Sequence, residues 1–185
     1  GGFFEYSYDS LDALSLVAGI RYDIHNNLGS FFTPRFHLRY QPFEKSVLRL
    51  SAGSGRKSSN IFSENQNIFT SGRKIKISKQ LGEFYGLDPE KAFNYGLSFR
   101  QGFFINNREG DITFDYYVTD FENQVIVDWE TQGEVSFYNL DGKSFAKSLQ
   151  IDFEYQLSNN ILIKSTFKNF DVKKQYNSGL KINPL

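Results

Sequence analysis

Cysteine and methionine are absent from the 185 residues of this chain, and long apolar runs are absent as well. Without cysteine, no disulfide, thiolate chemistry or cysteine-rich metal site is available. No stretch approaches the roughly 20 apolar residues of a transmembrane helix, which excludes a helical membrane protein. A membrane β-barrel stays open, because its strands are apolar only at alternate residues.

Net charge is absent too, because 21 Lys and Arg residues balance 21 Asp and Glu residues. A neutral chain has no basic footprint for nucleic acid, so no nucleic-acid partner is predicted. The two histidines, His25 and His37, stand apart in the sequence, and a metal site needs grouped ligands. No G-x-S-x-G, H-E-x-x-H or P-loop motif occurs. The sequence predicts no metal site, no cofactor and no enzyme.

Aromatic residues are abundant, at 17% of the chain, and much of the sequence alternates between apolar and polar residues. The stretch Thr33-Pro-Arg-Phe-His-Leu-Arg-Tyr40 places three apolar side chains on one face of an extended chain and three basic ones on the other. After a short turn at 41–45, Ser46-Val-Leu-Arg-Leu-Ser-Ala-Gly53 repeats the pattern. This predicts an antiparallel hairpin with one apolar and one polar face.

The same period of two recurs along the chain, whereas helix signals are poor. The fold class is therefore predicted to be all-β, an antiparallel meander of roughly eight long strands. The predicted strands are 3–8, 14–23, 33–40, 46–53, 94–100, 112–119, 149–157 and 161–167.

The predicted connections differ in length between the two ends of the strands. Tight polar turns are expected at 9–10, 41–45, 106–110 and 158–160, and longer segments at 25–30, at 54–88 and near 130–133. This sorting is typical of outer-membrane barrels. A loop as long as 55–88, without structure of its own, is expected to be functional or disordered. Residues 111–129 lack Gly and Pro and predict one continuous ribbon of roughly 60 Å, longer than a bilayer requires.

Several short motifs, taken in their order and spacing, resemble one family. They are Thr33-Pro-Arg-Phe-His-Leu-Arg-Tyr40, Asn60-Ile-Phe-Ser-Glu-Asn65, Pro89-Glu-Lys-Ala-Phe-Asn-Tyr-Gly96, Thr119-Asp-Phe-Glu-Asn-Gln-Val-Ile-Val-Asp128 and Phe137-Tyr-Asn-Leu140. From about residue 11 to residue 180, the chain resembles the barrel region of TonB-dependent outer-membrane receptors, particularly the Bacteroidetes type.

The resemblance implies a fragment of a larger transmembrane barrel, with residues 1–185 as a single partial barrel region that forms an open curved sheet by itself. It implies import of a scarce ligand, such as a ferric chelate, cobalamin or a glycan, across the outer membrane of a Gram-negative bacterium. The implied partners are outer-membrane lipid, a plug domain and TonB, the last two outside this chain. The imported ligand is not identified by the sequence.

If the apolar face contacts lipid, the polar face lines the lumen of the barrel. The lumen-facing candidates are Arg21, Arg35, His37, Arg39, Arg49, Arg100, Asp152 and Glu154. They are interpreted either as balanced charges or as an arginine ladder that contacts the plug or guides an anionic ligand. The extracellular-loop candidates for binding an anionic ligand are Arg73, Lys74, Lys76 and Lys79.

Two other functions are compatible with parts of the pattern. A soluble β-sandwich or lipocalin-like binding protein would use the same alternation with the apolar face as its core. A glycosidase could use Asp152 and Glu154, which lie two residues apart on one strand face. Their regular alternation with Gln150 and Gln156 favours a polar barrel wall instead.

Overall fold

The computed structural model describes residues 1–10, 13–26, 28–78, 85–176 and 182–184. Within these ranges the chain is almost entirely extended. In chain order the elements are β1 (Gly2–Ser10), β2 (Leu14–His25), β3 (Gly29–Phe43), β4 (Ser46–Lys57), α1 (Ile61–Glu64), a 3₁₀ turn (Gln66–Thr70), β5 (Lys74–Ile77), β6 (Glu90–Ile105), β7 (Arg108–Glu122), β8 (Val125–Asp128), β9 (Glu134–Asn139), β10 (Gly142–Ser158), β11 (Ile161–Tyr176) and β12 (Ile182–Pro184).

The main sheet has nine strands in the order β1-β2-β3-β4-β6-β7-β10-β11-β12, and each neighbouring pair is antiparallel. Eight of these strands are long, and β12 adds three residues at one edge. The sheet is open, with β1 and β12 as its edges. The predicted meander of roughly eight long strands is confirmed.

The register gives this sheet two distinct faces, because directly paired residues project to the same side. Leu38 pairs with Leu50, and Leu50 pairs with Leu97. The apolar face contains these residues and their same-parity neighbours on every long strand. The polar face contains the intervening residues, for example Arg49 and Ser98, which pair across β4 and β6.

A second, smaller sheet contains β5, β9 and β8 in that order, and its β5–β9 pairing is parallel. Together with α1 and the 3₁₀ turn it forms a unit that we call the loop module. The module holds the main buried core of the described residues, whereas the main sheet leaves much of its apolar face exposed. The core residues are Ile61, Ile68, Leu87, Val135 and Phe137.

The connections are sorted by length, as predicted, with two exceptions. The turns at 44–45, 106–107 and 159–160 lie at one end of the strands, and the segments at 58–89 and 123–141 lie at the other. The expectation of a longer segment at 25–30 is wrong, since β2 runs to His25 and β3 begins at Gly29. The positive φ of Gly29, 65°, suits such a rapid reversal. The tight turn expected at 9–10 is misplaced, because Asp9 and Ser10 are the last paired residues of β1.

The prediction of one continuous ribbon over 111–129 is wrong. The ribbon ends at Glu122, and Asn123 adopts a left-handed conformation with φ of 57°. Asparagine tolerates this conformation better than most residues do. The chain then leaves the main sheet, and β8 pairs with β9 in the loop module.

The expectation that 55–88 lacks structure of its own is also wrong for its described part, which contains α1, the 3₁₀ turn and β5. The alternative of a β-sandwich or a lipocalin-like barrel does not fit this fold. Neither sheet closes on itself, and among the described residues the small sheet packs with α1 and the 3₁₀ turn. In the same ranges, no helix is long and apolar enough to cross a membrane.

Candidate functional site

The eight polar residues singled out in the sequence lie on five strands and share the polar face. The register brings them together through direct pairs across neighbouring strands. The pairs are Arg21 with Thr33, Arg35 with Gly53, His37 with Ser51, Arg39 with Arg49, Arg100 with Thr113, Asp152 with Thr113, and Glu154 with Asp111.

The half of the polar face formed by β6, β7, β10 and β11 is rich in carboxylates that have partners. Arg100 Nη2 lies 3.0 Å from Asp111 Oδ2, and Lys164 Nζ lies 2.6 Å from Glu154 Oε1. Asp152 accepts hydrogen bonds of 2.6 Å from both the Thr166 hydroxyl and the Gln150 amide. Asp111 and Glu154 are thus compensated by cations, and Asp152 is held by neutral hydrogen-bond donors.

The half formed by β2, β3 and β4 is basic. Arg21 donates two hydrogen bonds to Asp23, of 2.7 and 2.9 Å, and Arg39 donates one of 2.5 Å to Gln41. Among the described residues, Arg35 and Arg49 form no side-chain ion pair or hydrogen bond. The polar face is therefore divided into a basic half, in which Arg35 and Arg49 lack a carboxylate partner among the described residues, and a carboxylate-rich half.

Arg35 stands beside a depression of about 420 Å³ on the polar face. Its partners across the neighbouring strands are both glycines, Gly19 on β2 and Gly53 on β4. Because glycine has no side chain, the space beside the guanidinium group stays open. His37, Ser51 and Asn94 line the same depression. Glu5, which pairs with Gly19, lines it as well, so the depression contains a carboxylate beside the guanidinium group.

The basic residues of the long connection occupy the edge of the loop module. Arg73 donates to the carbonyl oxygens of Trp129, at 3.1 Å, and Glu134, at 3.4 Å, and its guanidinium lies 5.5 Å from the Trp129 ring centroid. Lys76 lies 3.5 Å from Glu134. Lys74 is exposed and forms no side-chain ion pair within the described ranges. The candidate Lys79 lies outside the described residues.

An aromatic cluster on the loop module was missed by the sequence reasoning. The Phe62 ring centroid lies 5.9 Å from that of Phe69 and 5.2 Å from that of Tyr85, and Phe69 is 66% exposed. In the repeated pairs Ile61-Phe62 and Ile68-Phe69 the isoleucine lies in the core, and the following phenylalanine is half-buried against it (Phe62) or exposed (Phe69). That repeat was the available signal.

Asn139 fixes the loop module to the chain around it. This side chain is 3% exposed, and its amide donates to the carbonyl oxygens of Asp88, at 2.9 Å, and Asn123, at 2.7 Å. Its own oxygen accepts a 2.8 Å hydrogen bond from the Asp88 N–H. One buried amide therefore joins β9 to both connections that enter the module.

The border of the apolar face on the loop side runs obliquely across the strands. Going toward the loop module, the apolar residues of this face end at Phe32 on β3, Val118 on β7, Leu149 on β10 and Phe167 on β11, except that one further aromatic residue, Phe145, lies beyond this border on β10. Following direct pairs from Phe167 back to β3 leads to Tyr40, eight residues from Phe32.

This offset measures the angle between the strands and the apolar border. Eight residues span roughly 27 Å along a strand, and the five strand spacings between β3 and β11 span roughly 24 Å across the sheet. The strands are therefore inclined by roughly 45–50° from the direction that is perpendicular to the border within the sheet. Transmembrane β-strands are tilted by about 45°.

The chain was compared with known proteins. A family model described as TonB-dependent receptor-like β-barrel matches residues 1–183. A search of curated protein sequences found no match.

Among solved structures, a point mutant of the ferric enterobactin receptor PfeA from Pseudomonas aeruginosa aligns with a TM-score of 0.63 and 15% identity, over 91% of this chain and 26% of that one. The siderophore receptor PirA from the same species gives 0.67 and 16%, over 92% and 31%. PirA from Acinetobacter baumannii gives 0.62 and 13%, over 93% and 27%.

These structural similarities show the fold alone, because all three identities are low. This chain spans about a quarter to a third of the length of those receptors. The family model, by contrast, covers almost every residue. The chain belongs to the TonB-dependent receptor-like β-barrel family.

Proposed function

We propose that residues 1–185 form a single stretch of the wall of a Gram-negative outer-membrane barrel that binds and imports a scarce nutrient. The apolar face contacts lipid, the polar face lines the lumen, and the loop module lies outside the cell. The oblique border of the apolar face carries this proposal, because a flat hydrophobic slab imposes such a border only on inclined strands. The partners are outer-membrane lipid, and a plug domain and TonB from outside this chain.

The ligand class that we propose first is a ferric chelate. The solved receptors with this fold are named for ferric enterobactin and siderophores, and the basic half of the polar face suits an anionic complex. Cobalamin and glycans are the other classes. The narrower assignment to the Bacteroidetes type is supported by the sequence motifs alone.

No bond-breaking step belongs to this function. A glycosidase needs two available carboxyl groups, one acting as acid and the other as base or nucleophile. Asp152 is held by Thr166 and Gln150, and Glu154 by Lys164. The geometry therefore supports a polar wall rather than a hydrolytic pair.

The orientation of the faces can be tested with single cysteines, since this chain has none of its own. Leu50→Cys and Arg49→Cys are adjacent and matched, one on each face. Each variant of the full-length receptor is spin-labelled in outer-membrane vesicles. The spin label at position 50 should be relaxed more strongly by oxygen, which concentrates in lipid. The label at position 49 should be relaxed more strongly by a water-soluble nickel complex. The reverse order, or water exposure at both positions, would refute the proposed orientation.

A further inference from the structure

Charged residues follow the border of the apolar face on the side of the loop module. Immediately beyond this border, β6 carries Lys91 after Phe93, β7 carries Asp120 after Val118, and β10 carries Lys147 between Leu149 and Phe145. Their parity in the register places them on the same side of the sheet as the apolar face. The cations of this surface, which we call the basic collar, are Arg56, Lys91, Lys143, Lys147 and Lys173.

The basic collar is only partly neutralised by its own carboxylates. Three acids share its surface, against five cations, and they are Asp120, Glu122 and Asp171. Lys91 lies 3.1 Å from Glu122, and Lys173 lies 2.8 Å from Asp171. These two pairs leave an excess of positive charge on the rest of the collar.

Three cations of the collar form no ion pair within the described ranges, namely Arg56, Lys143 and Lys147. Arg56 lies directly opposite Lys91, so two like charges face each other across β4 and β6. In the described residues, two of the three cations contact aromatic rings, Arg56 at 5.1 Å from the Phe31 centroid and Lys147 at 4.8 Å from the Phe145 centroid. Neither is within ion-pair distance of a carboxylate in those ranges. Lys91 is compensated by Glu122, and Asp171, which lies opposite Lys147, pairs with Lys173, so the excess positive charge remains on cations such as Arg56 and Lys147.

We propose that the basic collar binds the phosphate groups of anionic lipid in the outer leaflet, with Arg56 and Lys147 among its contacts. This inference rests on the proposed function, which places the loop module outside the cell and lipid against the apolar face. The collar then lies at the depth of the lipid headgroups. Lys and Arg form charge-assisted hydrogen bonds with phosphate, and basic clusters at a membrane surface recognise anionic headgroups.

The test compares Arg56→Gln/Lys147→Gln with the matched pair Lys45→Gln/Arg108→Gln, which lies at the opposite end of the strands. Full-length receptor is titrated with vesicles of phosphatidylcholine, alone or with diphosphorylated lipid A. Because one cation near an anionic surface contributes a factor of about five, the collar pair should weaken lipid A binding about 25-fold. The control pair should bind as the wild type does.

The outcomes separate this proposal from the proposed function. Equal weakening in both pairs, or unchanged binding in the collar pair, would overturn the collar while leaving the barrel assignment intact. Equal binding to lipid A from which the phosphates have been removed would also overturn it, as would full competition by inorganic phosphate. Failure of the receptor to fractionate with the outer membrane would instead overturn the proposed function.

Discussion

Arg39 and Arg49 lie directly opposite each other on the polar face, at one position of the β3–β4 ladder. Arg39 donates to Gln41, whereas Arg49 has no side-chain hydrogen bond or ion pair in the described ranges. Like charges at directly opposed positions are destabilising. Of the two guanidinium groups, the one without a partner in the described ranges is therefore that of Arg49.

Neutralising Arg49 should therefore stabilise the receptor. Arg49→Gln is expected to raise the free energy of unfolding by a few tenths of a kcal/mol, because it removes the repulsion with Arg39. Urea unfolding of the purified full-length receptor, followed by Trp fluorescence, measures the change. Arg100→Gln is the matched control and should lower stability, since it breaks the contact with Asp111. A loss of stability in both variants would show that Arg49 has an anionic partner in the assembled receptor.

Removing the buried amide of Asn139 should loosen the loop module and leave the main sheet intact. Asn139→Ala leaves the Asp88 N–H and two carbonyl groups without their partner. Each unsatisfied buried group costs about 1–3 kcal/mol. Hydrogen exchange should accelerate in β8, β9 and 61–77, with little change in β6 and β7. Asn169→Ala, at an exposed position of β11, is the control, and equal effects of the two substitutions would contradict the role of Asn139.

The basic residues of the loop module should separate into structural and ligand-attracting ones. Replacing Arg73, Lys74, Lys76 and Lys79 together with Gln should weaken uptake of an anionic ferric chelate at low salt, because electrostatic attraction is screened at high salt. Lys74→Gln alone should reproduce part of this loss without faster hydrogen exchange. Arg73→Gln should accelerate exchange around Trp129, whose carbonyl it binds. Uptake that is unchanged in the fourfold variant at low salt would contradict ligand attraction.

Two glycines should respond differently to the same added methyl group. At Gly110, a Cβ would lie 2.8 Å from the backbone oxygen of Glu154, which cannot move without distorting the β7–β10 pairing. At Gly96, the obstructing atoms belong to the Ser51 and Tyr117 side chains, which can rotate. Gly110→Ala should therefore reduce the yield of heat-modifiable folded barrel on gels more than Gly96→Ala. Equal amounts of folded barrel from the two variants would show that the backbone near Gly110 can shift locally to accept the methyl group.

The main sheet could be predicted from the sequence because its signal is local. Phe36 and Leu38 alternate with Arg35 and His37, and a hairpin partner follows within a few residues. Residue parity alone then assigns each candidate to a face. The strands were predicted correctly even though the large apolar side chains of this sheet are exposed. A period of two depends on the extended backbone and not on what covers the apolar face.

The loop module could not be predicted because its pairings are distant and its strands are short. Lys74 pairs with Glu134, and no turn or period connects these residues in the sequence. The predicted ribbon breaks at Asn123, which adopts a left-handed conformation. A glycine at such a position would have indicated a turn in the sequence, but asparagine is a weaker signal. In addition, the charged residues Lys74 and Lys76 were interpreted as ligand-binding loop residues, although they belong to a strand.

The parallel β5–β9 pairing has a consequence for how such receptors diverge. Strand β5 belongs to one connection and β9 to the other, and Ile68 from the first packs with Val135 and Phe137 from the second. A graft that replaces 58–89 alone would leave the apolar residues of 123–141 without their partners, and the reciprocal graft would do the same. The two connections should therefore evolve together. A chimeric receptor should gain a new ligand specificity only when 58–89 and 123–141 are both replaced.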